Sequence, residues 1–251
     1  MSVPKSSLKS TSPLVGEPER LAQLLGIEFA ESDLLVMALR HRSAGNLNNE
    51  RLEFLGDAIL NLVIADRLYA LHPDAAEGAL SRWRASVVRE ETLATVARGL
   101  NLGDYLVLGS GELKSGGFRR DSILADALEA TIGAVYLDQG FAVAKAMVER
   151  LFAALLENLP DAASLKDPKT RLQEFLQSGK LDLPTYEVTD VRGQAHKQVF
   201  EVTCRLTHNQ LTSVGRGSSR RKAEQAAAER MLVQLTAATG SSPRQGGHEA
   251  G

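Results

Sequence analysis

The sequence predicts an all-α domain followed by a small α+β domain, on three observations. Residues 19–158 carry apolar residues at helical spacing, with no β-alternation of useful length. Three alternating runs rich in Val, Thr and aromatics occur only after residue 184. Between the two regimes the stretch LPDAASLKDPK (159–169), with two prolines and small polar residues, breaks the pattern. The expected boundaries are a flexible tail at 1–17, a helical domain at 18–158, a linker at 159–167, an α+β domain at 168–238 and a second tail at 239–251.

Within the first domain, helices are expected over 19–26, 31–42, 49–71, 76–99, 119–138 and 140–158, punctuated by Gly26, Asn46, Pro73, Gly99, Gly103 and Gly140. The second domain reads as a helix at 168–179, strands at 185–193, 197–206 and 211–217, and a closing helix at 219–237. An α-β-β-β-α order implies a three-stranded antiparallel sheet with both helices on one face. The apolar fraction of 43 % sustains a packed core and excludes global disorder. One cysteine, Cys204, excludes an internal disulfide framework and fits a reducing compartment. No apolar run approaches the roughly 18 residues that span a bilayer, so no membrane segment is expected. The N-terminal MSVPKSSLKSTSPLVGEPE has lysines but no apolar core, and reads as a tail and not a signal peptide.

A net charge of −2 looks wrong for a nucleic-acid binder, but it is unevenly spread. Residues 18–165 carry 14 Lys/Arg against 21 Asp/Glu, a formal −7, whereas 166–238 carry 12 against 8, a formal +4. An acidic body joined to a basic appendage points to two modules with different tasks.

The stretch ERLEFLGDAIL (50–60) places Glu50, Glu53 and Asp57 on one side of the third expected helix. Leu52, Leu55, Ile59, Leu62 and Val63 form the opposite stripe, as in any amphipathic helix. One or two turns later Leu60, Ile64 and Leu68 return to the acidic side, so the helix is expected to be buried along most of its length, with its acids where it emerges into a cleft. Like charges 4 Å apart at an effective dielectric of 20 repel by on the order of 4 kcal/mol, so such a cluster must take up protons or a cation. Hard divalent ions prefer these oxygen ligands. Asp126 and Glu129, at i and i+3 on the helix of 119–138, share a second face, and packing of the two helices would bring four carboxylates together. Acids on helices are as a rule solvated surface, and spacing alone does not decide. Nor does it decide whether Gly56 marks a close helix contact or room for a substrate or partner backbone.

In the basic appendage, Arg220, Arg221 and Lys222 open the last helix after Gly215, Gly217, Ser218 and Ser219. Cations there oppose the helix dipole, which favours phosphate binding over a solvated charge run. The small residues before them are read as letting backbone N–H groups approach a phosphate. Thr170, Gln173, Glu174 and Gln177 lie near one face of the helix of 168–179.

At this point the residues are recognisable. NERLEFLGDAIL (49–60) resembles the signature motif of the ribonuclease III family, and GELKSGGFRRDSILADALEATIGAVYLD (111–138) resembles its second block. GRGSSRRKAEQAAAERML (215–232) resembles the last loop and helix of a double-stranded RNA-binding domain. The resemblance implies an all-α endonuclease domain that forms a homodimer, with the signature helices in the contact. It implies metal ligands at Glu53, Asp57, Asp126 and Glu129, with Asp57 and Glu129 the most sensitive catalytically, and Mg²⁺ as the ion with Mn²⁺ as a substitute. Glu50 and Glu77 match acidic positions near the cleft. The implied reaction is hydrolysis of double-stranded RNA to 5′-phosphate and 3′-hydroxyl ends with short 3′ overhangs, in the cytoplasm, on precursors of ribosomal and other RNA.

A-form RNA presents 2′-hydroxyls in a shallow minor groove, so a reader of its shape needs polar side chains as well as cations. By family position Thr170, Gln173, Glu174 and Gln177 would enter one minor groove and His196, in the turn RGQAH, the next. Glu224 stands where many relatives have lysine, which implies a weaker cation cluster. Lys114, Arg119 and Arg120 either contact phosphate beside the acids or balance their charge. Tyr69 and Trp83 read as core, Asp66 and Asp74 as surface acids, and His41 with Ser43 as a structural or interfacial pair. The intact set of four acids favours an enzyme over two other readings, a non-cleaving double-stranded RNA binder and a helical scaffold with an RNA tether.

Overall fold

The computed structural model describes residues 16–194, 197–208 and 210–240. His196 and most of both expected tails lie outside them. The chain divides into two compact units between Ala162 and Ala163.

In the first unit, α1 (Pro18–Leu25) begins on Pro18, whose missing N–H costs nothing at a helix start, and ends at Gly26 in the left-handed region, φ 62°. There follow α2 (Ser32–Ala38), α3 (Glu50–Leu71), α4 (Glu77–Val87), α5 (Glu90–Gly99), the short α6 (Ser110–Lys114) and α7 (Asp121–Glu157). The expected helix of 76–99 is thus two helices. The chain turns at Arg89, φ −70° and ψ 153°, where Glu90 and Glu91 start a new helix with acids at its N-terminus. Gly140, φ 80° and ψ 177°, interrupts α7 where the sequence places a break.

The centre of this unit is the α3–α7 pair, the most extensive contact between elements among the described residues. Leu60, Ile64 and Leu68 are 0, 0 and 1 % exposed, so α3 is buried on the side that also carries the acids, as its all-round apolar middle predicts. Leu62, placed on the core stripe by the wheel, is instead 57 % exposed, and Tyr69, expected in the core, is 75 % exposed. Phe54, Leu62 and Tyr69 fall on one side of α3 and are all exposed. Trp83 is half-buried, stacks on His72 with ring centroids 4.5 Å apart, and donates from Nε1 to the Pro160 carbonyl at 2.8 Å.

In the second unit, α8 (Pro168–Ser178) precedes strands β1 (Thr185–Arg192), β2 (Val199–Arg205) and β3 (Thr212–Gly217), and α9 (Arg220–Gly240) closes it. The sheet is antiparallel in the order β1-β2-β3, with Tyr186 opposite Cys204 and Cys204 opposite Ser213. A register shift between Val188 and Asp190 marks a bulge in β1. Leu172 and Leu176 of α8 share one core with Cys204 of β2 and Ala227, Ala228 and Met231 of α9, so both helices cover the same face of the sheet.

Candidate active site and nucleic-acid interface

The acids come together because α3 and α7 cross with almost no side chain between them. A Cβ on Gly56 would lie 1.7 Å from the Glu129 carbonyl oxygen, and one on Gly133 would lie 2.3 Å from the Leu52 carbonyl oxygen. Any larger residue at either position would force the backbones apart. The glycine in the acidic motif is therefore a helix contact. Gly133, unmarked in the sequence, is its counterpart.

Across this crossing Glu53, Asp126 and Glu129 each bring a carboxylate oxygen to within 4.8 Å of the others. All three are half-buried. Asp57 stands outside that triplet and is itself exposed, with its carboxylate accepting from Asn61 Nδ2 at 2.8 Å. Its charge still reaches Glu129. Burial first, then Asp57, Glu53 and Asp126, push the Glu129 carboxyl up from its ordinary 4.5 to about 8. Burial, then Asp126 and Glu50, raise Glu53, with Asp57 a smaller contributor. Asp126 is raised by burial and by Glu90, against the lowering influence of His41 and Arg42.

The two further acids differ in position. Glu50, in the first turn of α3, accepts from Asn48 Nδ2 at 3.2 Å and pairs with Arg42 at 3.6 Å. Glu77 lines an open groove with Leu68, Tyr69 and Arg84, and accepts from Ser81 Oγ at 2.6 Å. Leu68 lies about four turns beyond Glu53, about 22 Å along the α3 axis, so Glu77 stands apart from the triplet.

The pairing of residues 39–43 with 107–109 was only partly legible. Val107 donates to the Leu39 carbonyl at 2.9 Å and accepts from the His41 N–H at 3.1 Å. Next to it Ser43 Oγ bonds His41 Nδ1 at 2.8 Å and accepts from the Gly109 N–H at 2.9 Å. Burial lowers His41 despite the nearby charges of Glu112 and Asp126. Arg120 donates to both oxygens of Glu112 at 2.9 and 3.0 Å, so this arginine balances an acid outside the cluster. Arg119 lies over the Phe118 ring, 4.9 Å from its centroid.

In the second unit Thr170, Gln173, Glu174 and Gln177 are all exposed on α8, and Glu174 pairs with Lys166 at 2.6 Å. Arg220, Arg221 and Lys222 are exposed at the start of α9, where Ser219 Oγ accepts from the Lys222 N–H at 3.2 Å as an N-cap. Arg220 Nε pairs with Glu224 at 2.8 Å, and Arg221 lies 3.8 Å from Asp167. Gly215 and Gly217 are required for packing. A Cβ on Gly215 would lie 2.2 Å from the Ala223 carbonyl oxygen, and one on Gly217 would lie 2.6 Å from the Ala223 nitrogen. The alanine face of α9 fills that space, with Ala223, Ala227 and Ala228 fully buried.

Comparison with known proteins matches both units. Residues 31–155 fit the family described as Ribonuclease-III-like, and 168–235 fit the double-stranded RNA binding motif. The chain is 57 % identical over 218 residues to Ribonuclease 3 of Vibrio vulnificus strain YJ016, covering 87 % of this chain and 97 % of that one. It is 58 % identical over 221 residues to Ribonuclease 3 of Nitrosococcus oceani, covering 87 % and 95 %. A solved nuclease domain of ribonuclease III from Campylobacter jejuni aligns with a TM-score of 0.54 and 46 % identity, over 55 % of this chain and 97 % of that one. With a helical unit followed by an α-β-β-β-α unit, and with relatives of this identity along nearly their whole length, the chain belongs to the ribonuclease III family and is an enzyme of that family.

Proposed function

We propose that the chain is a Mg²⁺-dependent endoribonuclease that hydrolyses phosphodiester bonds in double-stranded RNA, with Mn²⁺ as a substitute ion. Its products carry 5′-phosphate and 3′-hydroxyl ends with short 3′ overhangs. The observation that carries this reading is the convergence of Glu53, Asp126 and Glu129 from two helices at a backbone-to-backbone crossing. The donor set fits a hard divalent ion, since it is made of carboxylate oxygens that repel one another unless neutralised. Glu53, Asp126 and Glu129 would hold it, with Asp57 as a fourth carboxylate beside them. When bound, the ion supplies an activated water and charge neutralisation at phosphorus.

The chain's own residues fix the rest. The Gly56–Gly133 crossing holds the acids rigidly. Asn61 orients Asp57, while Arg42 and Asn48 tether Glu50 at the rim. The exposed polar face of α8 and the cations of α9 bind the duplex through minor-groove hydroxyls and phosphates. The Campylobacter jejuni nuclease domain is described as having a region involved in dimer formation. The exposed Phe54, Leu62 and Tyr69 of α3 support a homodimer here through the helical domain, giving one site for each RNA strand. Processing of ribosomal and other RNA precursors, in the cytoplasm, rests on family membership.

The test is incubation of a long RNA duplex with wild type and Glu129→Gln across a Mg²⁺ titration, beside a binding assay. Wild type is expected to cleave only with the ion. The variant is expected to bind within a few-fold of wild type and to turn over on the order of 10³-fold more slowly. Wild type that binds duplex with and without Mg²⁺ and cuts in neither case is a binding protein.

A further inference from the structure

One carboxylate in the second unit is bonded to cations from two different elements. Glu224, in the second turn of α9, accepts from Arg220 Nε at 2.8 Å through one oxygen and from Lys169 Nζ of α8 at 2.6 Å through the other. Its side chain is only 12 % exposed, whereas Arg220 is 65 % exposed. Burial disfavours its charge, but the bonds from Lys169 and Arg220 outweigh that, and its carboxyl lies below the usual range. Lys169 is held in turn, with its ammonium 4.5 Å from the centroid of the Tyr186 ring. Beside it Asp167 caps α8 by accepting from the Lys169 N–H at 2.9 Å, and its other oxygen accepts from Gln225 of α9. The start of α8, which carries the polar face, is thus tied to the start of α9, which carries the cations.

We propose that Glu224 is a positioning residue for duplex RNA, itself held by Lys169, and that it holds Arg220 through Nε so that the terminal nitrogens of its guanidinium face a phosphate. This rests on the reading that Arg220 contacts RNA. It reverses the expectation from charge alone. An acid beside a phosphate-binding cluster repels the ligand, so removing it would tighten binding. As a positioning group, its removal weakens binding, because the long arginine side chain must then be ordered by the RNA itself.

The experiment measures affinity for an RNA duplex without Mg²⁺ and with EDTA, as a function of salt, for the full chain and for Glu224→Gln, Arg220→Ala and the double variant, each well below its melting temperature. Arg220→Ala is expected to weaken binding and lower the slope of log affinity against log salt by about one. Glu224→Gln is expected to weaken binding about fivefold and to lower the slope in the same direction, which mere loss of stability would not do. The double variant is expected to match Arg220→Ala within about twofold, since there is then no arginine to position. Glu224→Asp, which keeps the charge beside Lys169 but shortens the reach, is expected to weaken binding too and covers the case in which Glu224→Gln does not fold. Tighter or unchanged binding by the Glu224 variants, while Arg220→Ala weakens it, overturns the proposal and leaves the RNA contact standing. Unchanged affinity and slope in Arg220→Ala overturn the contact and the proposal with it.

Discussion

Burial and the charges of Asp57, Glu53 and Asp126 hold Glu129 at about 8, so near neutral pH the metal-free protein keeps a proton there. The sign of the linkage follows. A carboxyl raised in the folded state binds more protons than in the unfolded chain between about pH 4.5 and 8, so metal-free stability falls as pH rises through that window. A cation must displace that proton. Affinity for Mn²⁺ is therefore expected to rise with pH from about 6 to 8, with about one proton released per ion bound. Calorimetry in two buffers of different ionisation enthalpy reads this directly. Binding without proton release would mean that Glu129 is already ionised. The acids of α3 were legible because offsets of 0, 3 and 7 share a helix face whatever surrounds them. Whether Asp126 and Glu129 meet Glu53 was not, since sequence spacing carries no information about which helices cross.

Helix α3 owes its place to two glycines on different elements, and only one of them stood out in the sequence. Gly56 interrupts a conspicuous motif, whereas Gly133 sits among Ala130, Ile132, Ala134 and Val135, where a small residue draws no notice. Gly56→Ala is expected to destabilise the protein by about 3 kcal/mol or more, since the new methyl would meet the Glu129 carbonyl at 1.7 Å and backbone cannot swing aside. Gly111→Ala, where a Cβ meets nothing within 4 Å, is the control and should shift stability by less than about 1 kcal/mol. Urea unfolding of both checks the contrast, and equal midpoints would contradict the close crossing. Other elements were harder to read for identifiable reasons. The turn between α4 and α5 has neither glycine nor proline, and only Glu90 and Glu91 signal a new helix start. The packing role of Gly215 and Gly217 did not show in the sequence, because small residues serve an anion nest and a close helix–strand contact equally well.

At the scale of the whole molecule, charge and exposure divide the work. The acidic unit carries the carboxylates and the basic unit the cations, which explains how a chain of net charge −2 binds a polyanion. The exposed aromatics of α3 were the least legible feature. Tyr69 and Leu62 have the composition of a core, and a single chain does not reveal the second copy that the proposed dimer would lay over them. Leu62→Glu is expected to shift the protein from dimer to monomer by light scattering and to lower duplex cleavage, with little change in melting temperature, because Leu62 is already 57 % exposed in one protomer. An unchanged mass would place the dimer contact elsewhere.

Carboxylates from two helices gathered around one divalent ion can be seen directly by diffraction from crystals grown with Mn²⁺, using its anomalous signal. A peak within about 2.2 Å of oxygens from Glu53, Asp126 and Glu129 is the predicted result. Density bound only elsewhere, or a structure in which Glu129 turns away from Glu53 and Asp126 with Mn²⁺ in excess, would contradict it.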